Sequence, residues 1–138
     1  MGKKVKITCE YYFVKNYTNA GKEEGLYDLR HWFANIVEKS MAELTKAVGD
    51  EKGRLEGRDK IDDRFYALNF IRMQAYSSAY IVKENEKASH VDINVDEDEY
   101  IGNNTVALYD SKKGIIMIMK NRSGFSAFTI QSYINSFF

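Results

Sequence analysis

The chain has 138 residues, enough for one domain with a real core and too few for two comfortable ones. Lys plus Arg and Asp plus Glu both number 20, and neither half of the chain is polarised, which argues against an overall basic coat for nucleic acid and against an acidic mimic of one. Hydrophobic residues at 44%, with ten Tyr and eight Phe, exceed what a disordered chain carries, so burial of rings offsets the conformational entropy of folding.

The opening segment alternates. Val5, Ile7, Cys9, Tyr11 and Phe13 fall on one side, with Lys4, Lys6, Thr8, Glu10 and Tyr12 on the other, which predicts a strand over 3–15 with Cys9 on its buried side. Its lysines and alternation are unlike the apolar stretch of a signal peptide, and no apolar run suits a membrane span. The lone Cys9 forms no internal disulfide or thiolate cage, so the expected location is a reducing cytosol. Residues 15–25, polar and carrying Gly21 and Gly25, read as a loop. Leu29, Phe33, Ile36, Val37, Met41, Leu44 and Val48 follow helical spacing, which predicts one long helix over about 27–48, with Asp28 as its N-cap and Gly49 just past its end. Trp32 widens the apolar stripe.

Residues 50–64 carry eleven charged side chains and two glycines and read as a loop or short hairpin. Residues 65–73 form a strand with apolar side chains on both faces, as in an inner strand, and 74–82 continue it. After a polar connection over 83–89, residues 90–97 alternate again, Val91, Ile93 and Val95 against His90, Asp92, Asn94 and Asp96. Strands at 105–109 and 114–120 flank the turn Asp110-Ser-Lys-Lys-Gly114, the strongest hairpin signal in the chain. A second amphipathic helix follows over about 126–137, capped by Ser126, with Phe125 stapled onto Ile130. This order predicts a single α+β domain over 1–138: an antiparallel sheet of about five to six strands with the two helices packed on it.

Chemistry-bearing motifs are sparse. Asp92, Asn94, Asp96 and Asp98 stand at every second position and share one strand face, so Asp92, Asp96 and Asp98 are weak candidates for holding a divalent cation. The calcium-loop pattern fails, because Glu97 and Asn103 stand where it wants Gly and Glu, and a charged strand face that discourages edge pairing accounts for the same residues. His31 and His90 stand 59 positions apart without metal-ligand spacing, and phosphate-binding glycine motifs are missing. No cofactor and no catalytic residue is therefore assigned. The basic turn before the last helix, with Lys120, Arg122, Ser123 and Ser126, is the candidate anion or partner site, since a helix start offers free N–H groups and the positive end of its dipole. A capped helix flanked by two solvated cations is the simpler account of those residues.

Two basic clusters, Lys3, Lys4, Lys6 and Lys15 beside the N-terminal tyrosines, and Arg54, Arg58, Lys60 and Arg64, are diluted by neighbouring acids. Tyr gives large contact area at low entropic cost, so Tyr11, Tyr12, Tyr17, Tyr76 and Tyr80 are the candidate protein-interface residues.

The C-terminal half carries Tyr100-Ile-Gly102, Leu108-Tyr-Asp110, Ile115-Ile-Met-Ile-Met119, Asn121-Arg122 and Gly124, then a helix ending near Tyr133-Ile-Asn135. Over roughly 64–135 this resembles an uncharacterised family of proteins from phages and mobile elements of low-GC Gram-positive bacteria. The absence of proline, 14 Lys to 6 Arg and ten Asn agree with the AT-rich genome such an origin implies. The resemblance brings no assigned activity and no functional residue. With it, the expected function is that of a small stoichiometric binder of a host protein, an inhibitor of a defence system such as a CRISPR nuclease or another nucleic-acid-processing complex. Alternatives from other classes are a metal-dependent nucleic-acid or phosphate-ester hydrolase built on Asp92, Asp96 and Asp98, and a passive nucleic-acid module. No membrane partner is expected, and self-association is open.

Overall fold

The computed structural model describes residues 4, 6–17, 20–74, 76–81, 89–94 and 100–138, with the backbone alone for 76–81 and 89–94. In chain order the elements are β1 (Cys9–Phe13), β2 (Lys15–Tyr17), β3 (Glu23–Leu26), α1 (Leu29–Ile36), α2 (Met41–Leu44), β4 (Lys46–Val48), β5 (Glu51–Lys60), β6 (Phe65–Gln74), β7 (Tyr76–Ile81), β8 (Ser89–Asn94), β9 (Ile101–Asp110), β10 (Ile115–Met119) and α3 (Ala127–Asn135). Six strands form one antiparallel sheet in the order β1-β10-β9-β6-β5-β4, while β2–β3 and β7–β8 form two small hairpin sheets. The protein is thus an α+β domain, as its pattern predicts.

Local signals explain the element ends that match. Asp28 caps α1 by accepting from the Arg30 N–H at 3.0 Å. Ser126 caps α3 by accepting from the Thr129 N–H at 3.2 Å, and Phe125 and Ile130 are both buried in the core. At the β9–β10 turn Asp110 Oδ1 accepts from the N–H groups of Lys112 and Lys113, and Gly114 supplies a φ of +66°.

Several expectations change. The long helix of 27–48 is two short helices and a strand, because α1 stops at Val37 and Ser40 opens a new helix with a capping box, its Oγ accepting from Glu43 N–H while Glu43 Oε1 accepts from Ser40 N–H. Gly49, with φ +60°, turns the β4–β5 hairpin instead of ending a helix. The charged stretch 50–64 is mostly β5: Gly53 and Leu55 face the core, and its charges occupy the solvated side and end of a strand near the sheet edge. The opening strand is regular only over Cys9–Phe13, residues 3 and 5 lie outside the described residues, and the expected loop contains the β2–β3 hairpin.

The three described helices lie on one face of the sheet. There Leu29, Trp32, Phe33, Ile36 and Leu44 meet Tyr66, Leu68 and Phe70 of β6, Ala107 and Tyr109 of β9, and Ile116 and Ile118 of β10, closed by Phe125, Ile130 and Tyr133. Tyr133 is the central tie. Its hydroxyl donates to the Leu44 carbonyl at 2.6 Å and accepts from the Leu55 N–H at 2.9 Å, joining α3 to the end of α2 and to β5. Its ring meets Trp32 and Phe70 edge-on, with centroids 6.3 and 5.9 Å away, geometry worth about 0.5–1.5 kcal/mol per pair beyond area burial. Burial pushes its hydroxyl pKa up to about 12.

Candidate interaction surface

Directly paired residues of an antiparallel ladder share a face, so the register fixes what lies opposite the core. One row runs Tyr11–Met117–Leu108–Ala67–Asp59, and a second Phe13–Ile115–Asp110–Phe65. A third includes Cys9–Met119 and Val106–Asn69–Gly57. This face is mainly apolar across four strands, interrupted by Asp110 and Asn69, yet no described helix covers it. Val106 is 39% exposed, and at the edge Tyr11 is 67% and Phe13 61% exposed. An ordinary one-sided antiparallel sheet presents polar side chains to water; this one presents rings, methionines and branched aliphatics.

The first strand carries the clearest reversal of expectation. Its apolar alternation does not face the core. Cys9, Tyr11 and Phe13 lie on the open face, with Ile7 also 58% exposed, while Glu10 and Tyr12 pair with the buried Ile118 and Ile116. Cys9 is half-buried there, outside the main core cluster.

Towards β5 the open face sinks into a depression of about 290 Å³. The ladder shifts register between Leu55 and Gly57, leaving Glu56 as a bulged residue. Gly57 and Ala67 contribute little side chain to the floor, Val106 forms a wall, and Asn69 lies between. Asn69 Oδ1 is buried without a hydrogen-bond partner among the described residues. Glu56 is held by Arg54 at 2.6 Å, whereas Asp59 makes no ion pair among the described residues.

A family model described as a family of unknown function, DUF6731, matches residues 1–138 of the chain. The chain belongs to the DUF6731 family. No curated protein and no solved structure matches it.

In this DUF6731 chain the residues singled out from sequence do not gather in one place. Lys120 donates its N–H to Thr8 and its Nζ stands 3.6 Å from Glu10. The Ser123 N–H is taken by Asn121 Oδ1, and Ser126 is engaged in the α3 cap. Thr129 Oγ1 donates to Glu51 Oε2 at 2.6 Å, so a carboxylate already stands at that helix start. Arg122 is exposed. The N-terminal tyrosines are split: Tyr11 is on the open face, Tyr12 on the opposite face bonded to Glu10, and Tyr17 in the separate β2–β3 hairpin. Tyr76 and Tyr80 lie in β7, in register with Asn94 and His90. Their side chains, and that of Asp92 in β8, lie outside the described residues, as do Asp96 and Asp98 entirely.

The basic cluster at 54–64 is dispersed as well. Arg54 pairs with Glu56, Arg58 lies over the Phe33 ring on the helical side, Lys60 pairs with Asp63, and Arg64 grips Asp110. Lys15 pairs with Glu23, Lys4 and Lys6 are exposed, and Lys3 lies outside the described residues. His31 sits in the first turn of α1 beside Tyr27. Among the described residues no three His, Cys, Asp or Glu side chains gather as a metal centre, and no helix is long and apolar enough to cross a membrane. The surface residues missed in the sequence are Phe13, Val106, Leu108 and Met117. Their signal was the apolar pattern on both faces of 65–73 and 115–119, set against helices enough to cover one face.

Proposed function

We propose that this protein is a small binding module that covers part of a partner protein's surface with the open face of its sheet. The observation that carries this reading is the outward turn of an amphipathic strand, with Tyr11 and Phe13 exposed beside the apolar row Met117–Leu108–Ala67. Contiguous apolar surface on a folded domain is costly to leave in water and marks interaction sites. Exposed Tyr and Phe supply large contact area with few torsions to freeze.

The finer reading rests on the resemblance to proteins of phages and mobile elements: the partner belongs to a host defence system, such as a CRISPR nuclease, and the effect is inhibition by occlusion in the host cytosol. Occlusion needs no turnover, so inhibition saturates at one equivalent. The test is pull-down from host lysate with the intact protein, the double variant Tyr11→Glu/Phe13→Glu, and Phe128→Glu as a control on the exposed side of α3. The intact protein and the control recover a partner and the double variant does not. Recovery of no partner at micromolar concentration, or equal recovery by the double variant, refutes the reading.

A further inference from the structure

The depression beside β5 has features that the fold does not require. Of the eight described glycines, Gly21, Gly25, Gly49 and Gly114 hold positive φ. A methyl group at Gly53 would collide with the Ile71 carbonyl and the Phe125 ring, one at Gly124 with Thr105 Oγ1, and one at Gly102 would press on Ile71 Cγ2 at 3.2 Å. Gly57 has neither constraint: its φ is not positive, and an added Cβ would meet nothing within 4 Å. Folding therefore tolerates a side chain at Gly57, and the lack of one keeps the depression open.

The charged part of the lining has one sign. Asn69 Oδ1 is a buried acceptor without a donor among the described residues, a state that costs free energy until a donor arrives. Glu56 and Asp59 line the depression together with the neutral amides of Asn69 and Asn104, and no Lys or Arg among the described residues does. Arg54 pairs with Glu56, which leaves Asp59 as the lining carboxylate without an ion pair among the described residues. Such a lining repels phosphate and attracts a cationic hydrogen-bond donor, with apolar atoms of Ala67 and Val106 placed to cover an aliphatic stem.

We infer that this depression receives a lysine or arginine side chain from a protein partner, whose flanking apolar residues lie on Leu108 and Met117. The inference deepens the binding-face reading and rests on it for the identity of the donor. The charged head meets Asp59, and rotation about the soft terminal torsion of Asn69 turns its oxygen to accept from the same group. Asp59, on the rim, adds selectivity for sign more than affinity, because exposed ion pairs contribute little.

The test needs no partner. N-acetylarginine methylamide and N-acetyllysine methylamide are titrated into the isotope-labelled full chain, with the glutamate and leucine analogues as controls, and the Asn69 side-chain amide and Gly57 backbone amide are followed by NMR. The two cationic probes shift these signals saturably and the controls do not. Gly57→Leu, with an unchanged melting temperature, abolishes saturation, and Asp59→Asn weakens the arginine probe by about two- to fivefold. Equal shifts from the leucine or glutamate analogue, or saturation that persists in Gly57→Leu, overturn the inference. Partner capture without probe saturation removes the subsite alone. Saturation without partner capture supports the subsite and removes the binding-face reading.

Discussion

Replacing Tyr133 by Phe deletes one oxygen and leaves two buried backbone groups without their partner, the Leu44 carbonyl and the Leu55 N–H. The ring packing is retained, so the loss isolates the hydrogen bonds. An orphaned buried group costs about 1–3 kcal/mol, so the two give an expected destabilisation of about 2–6 kcal/mol. At about 3–4 °C per kcal/mol for a domain of this size, the melting temperature falls by about 6–24 °C. Circular dichroism melts and urea titrations measure this, with Tyr11→Phe as an exposed control that leaves stability unchanged. The alkaline limb adds a second readout. The Tyr133 hydroxyl has its pKa pushed from 10.0 up to about 12, so through that window the unfolded chain loses a proton that the native state keeps. Stability therefore falls as pH rises from 10 to 12, by about 1.4 kcal/mol per unit from this group, and Tyr133→Phe lacks that component. The gap between the two proteins narrows by about 2–3 kcal/mol across the window. A melting-temperature loss under about 3 °C at neutral pH, or a gap unchanged at high pH, would refute the role of this hydroxyl.

Gly53→Ala and Gly57→Ala, two positions in the same strand, have opposite expected outcomes: the first collides with the Ile71 carbonyl and the Phe125 ring and sharply lowers the melting temperature, while the second leaves it near that of the unsubstituted protein. Asp110 is held well below its ordinary pKa of 3.8, first by the Arg64 guanidinium and also by the turn N–H groups. Its contribution is present above about pH 4 and lost as pH falls further, so Asp110→Asn is less stable at neutral pH and shows a shallower acid limb in urea melts between pH 4 and 2. Ser40→Ala removes the capping box that starts α2 and costs about 0.5–2 kcal/mol, measured by urea titration; a neutral result would mean that packing of Leu44 alone sets that helix.

Much of the fold is legible along the chain because its signals act within a few residues. Asp28, Ser126 and the Asp110–Gly114 turn work through bonds spanning two to four positions, and each appears where its sequence puts it. The break after Ile36 was also encoded, in Ser40 and Glu43, but the apolar spacing running through Val37, Met41 and Leu44 masked it. The charged stretch at 50–64 misleads for a different reason. Its strand character depends on pairing with β6 and on Phe125 and Tyr133 arriving from residues far away in sequence.

The sequence by itself determined the α+β class, the hairpin turn, the last helix and the alternation of the first strand. Tertiary structure alone decided which side of that alternation is wet. A period of two sorts side chains into two sets but carries no sign, and the sign comes from the face on which the helices settle. Trp32, Phe33, Phe125 and Tyr133 pack against Tyr66, Leu68, Phe70 and Tyr109, and that choice turns Tyr11, Phe13, Met117 and the Gly57–Asn69 depression outward together.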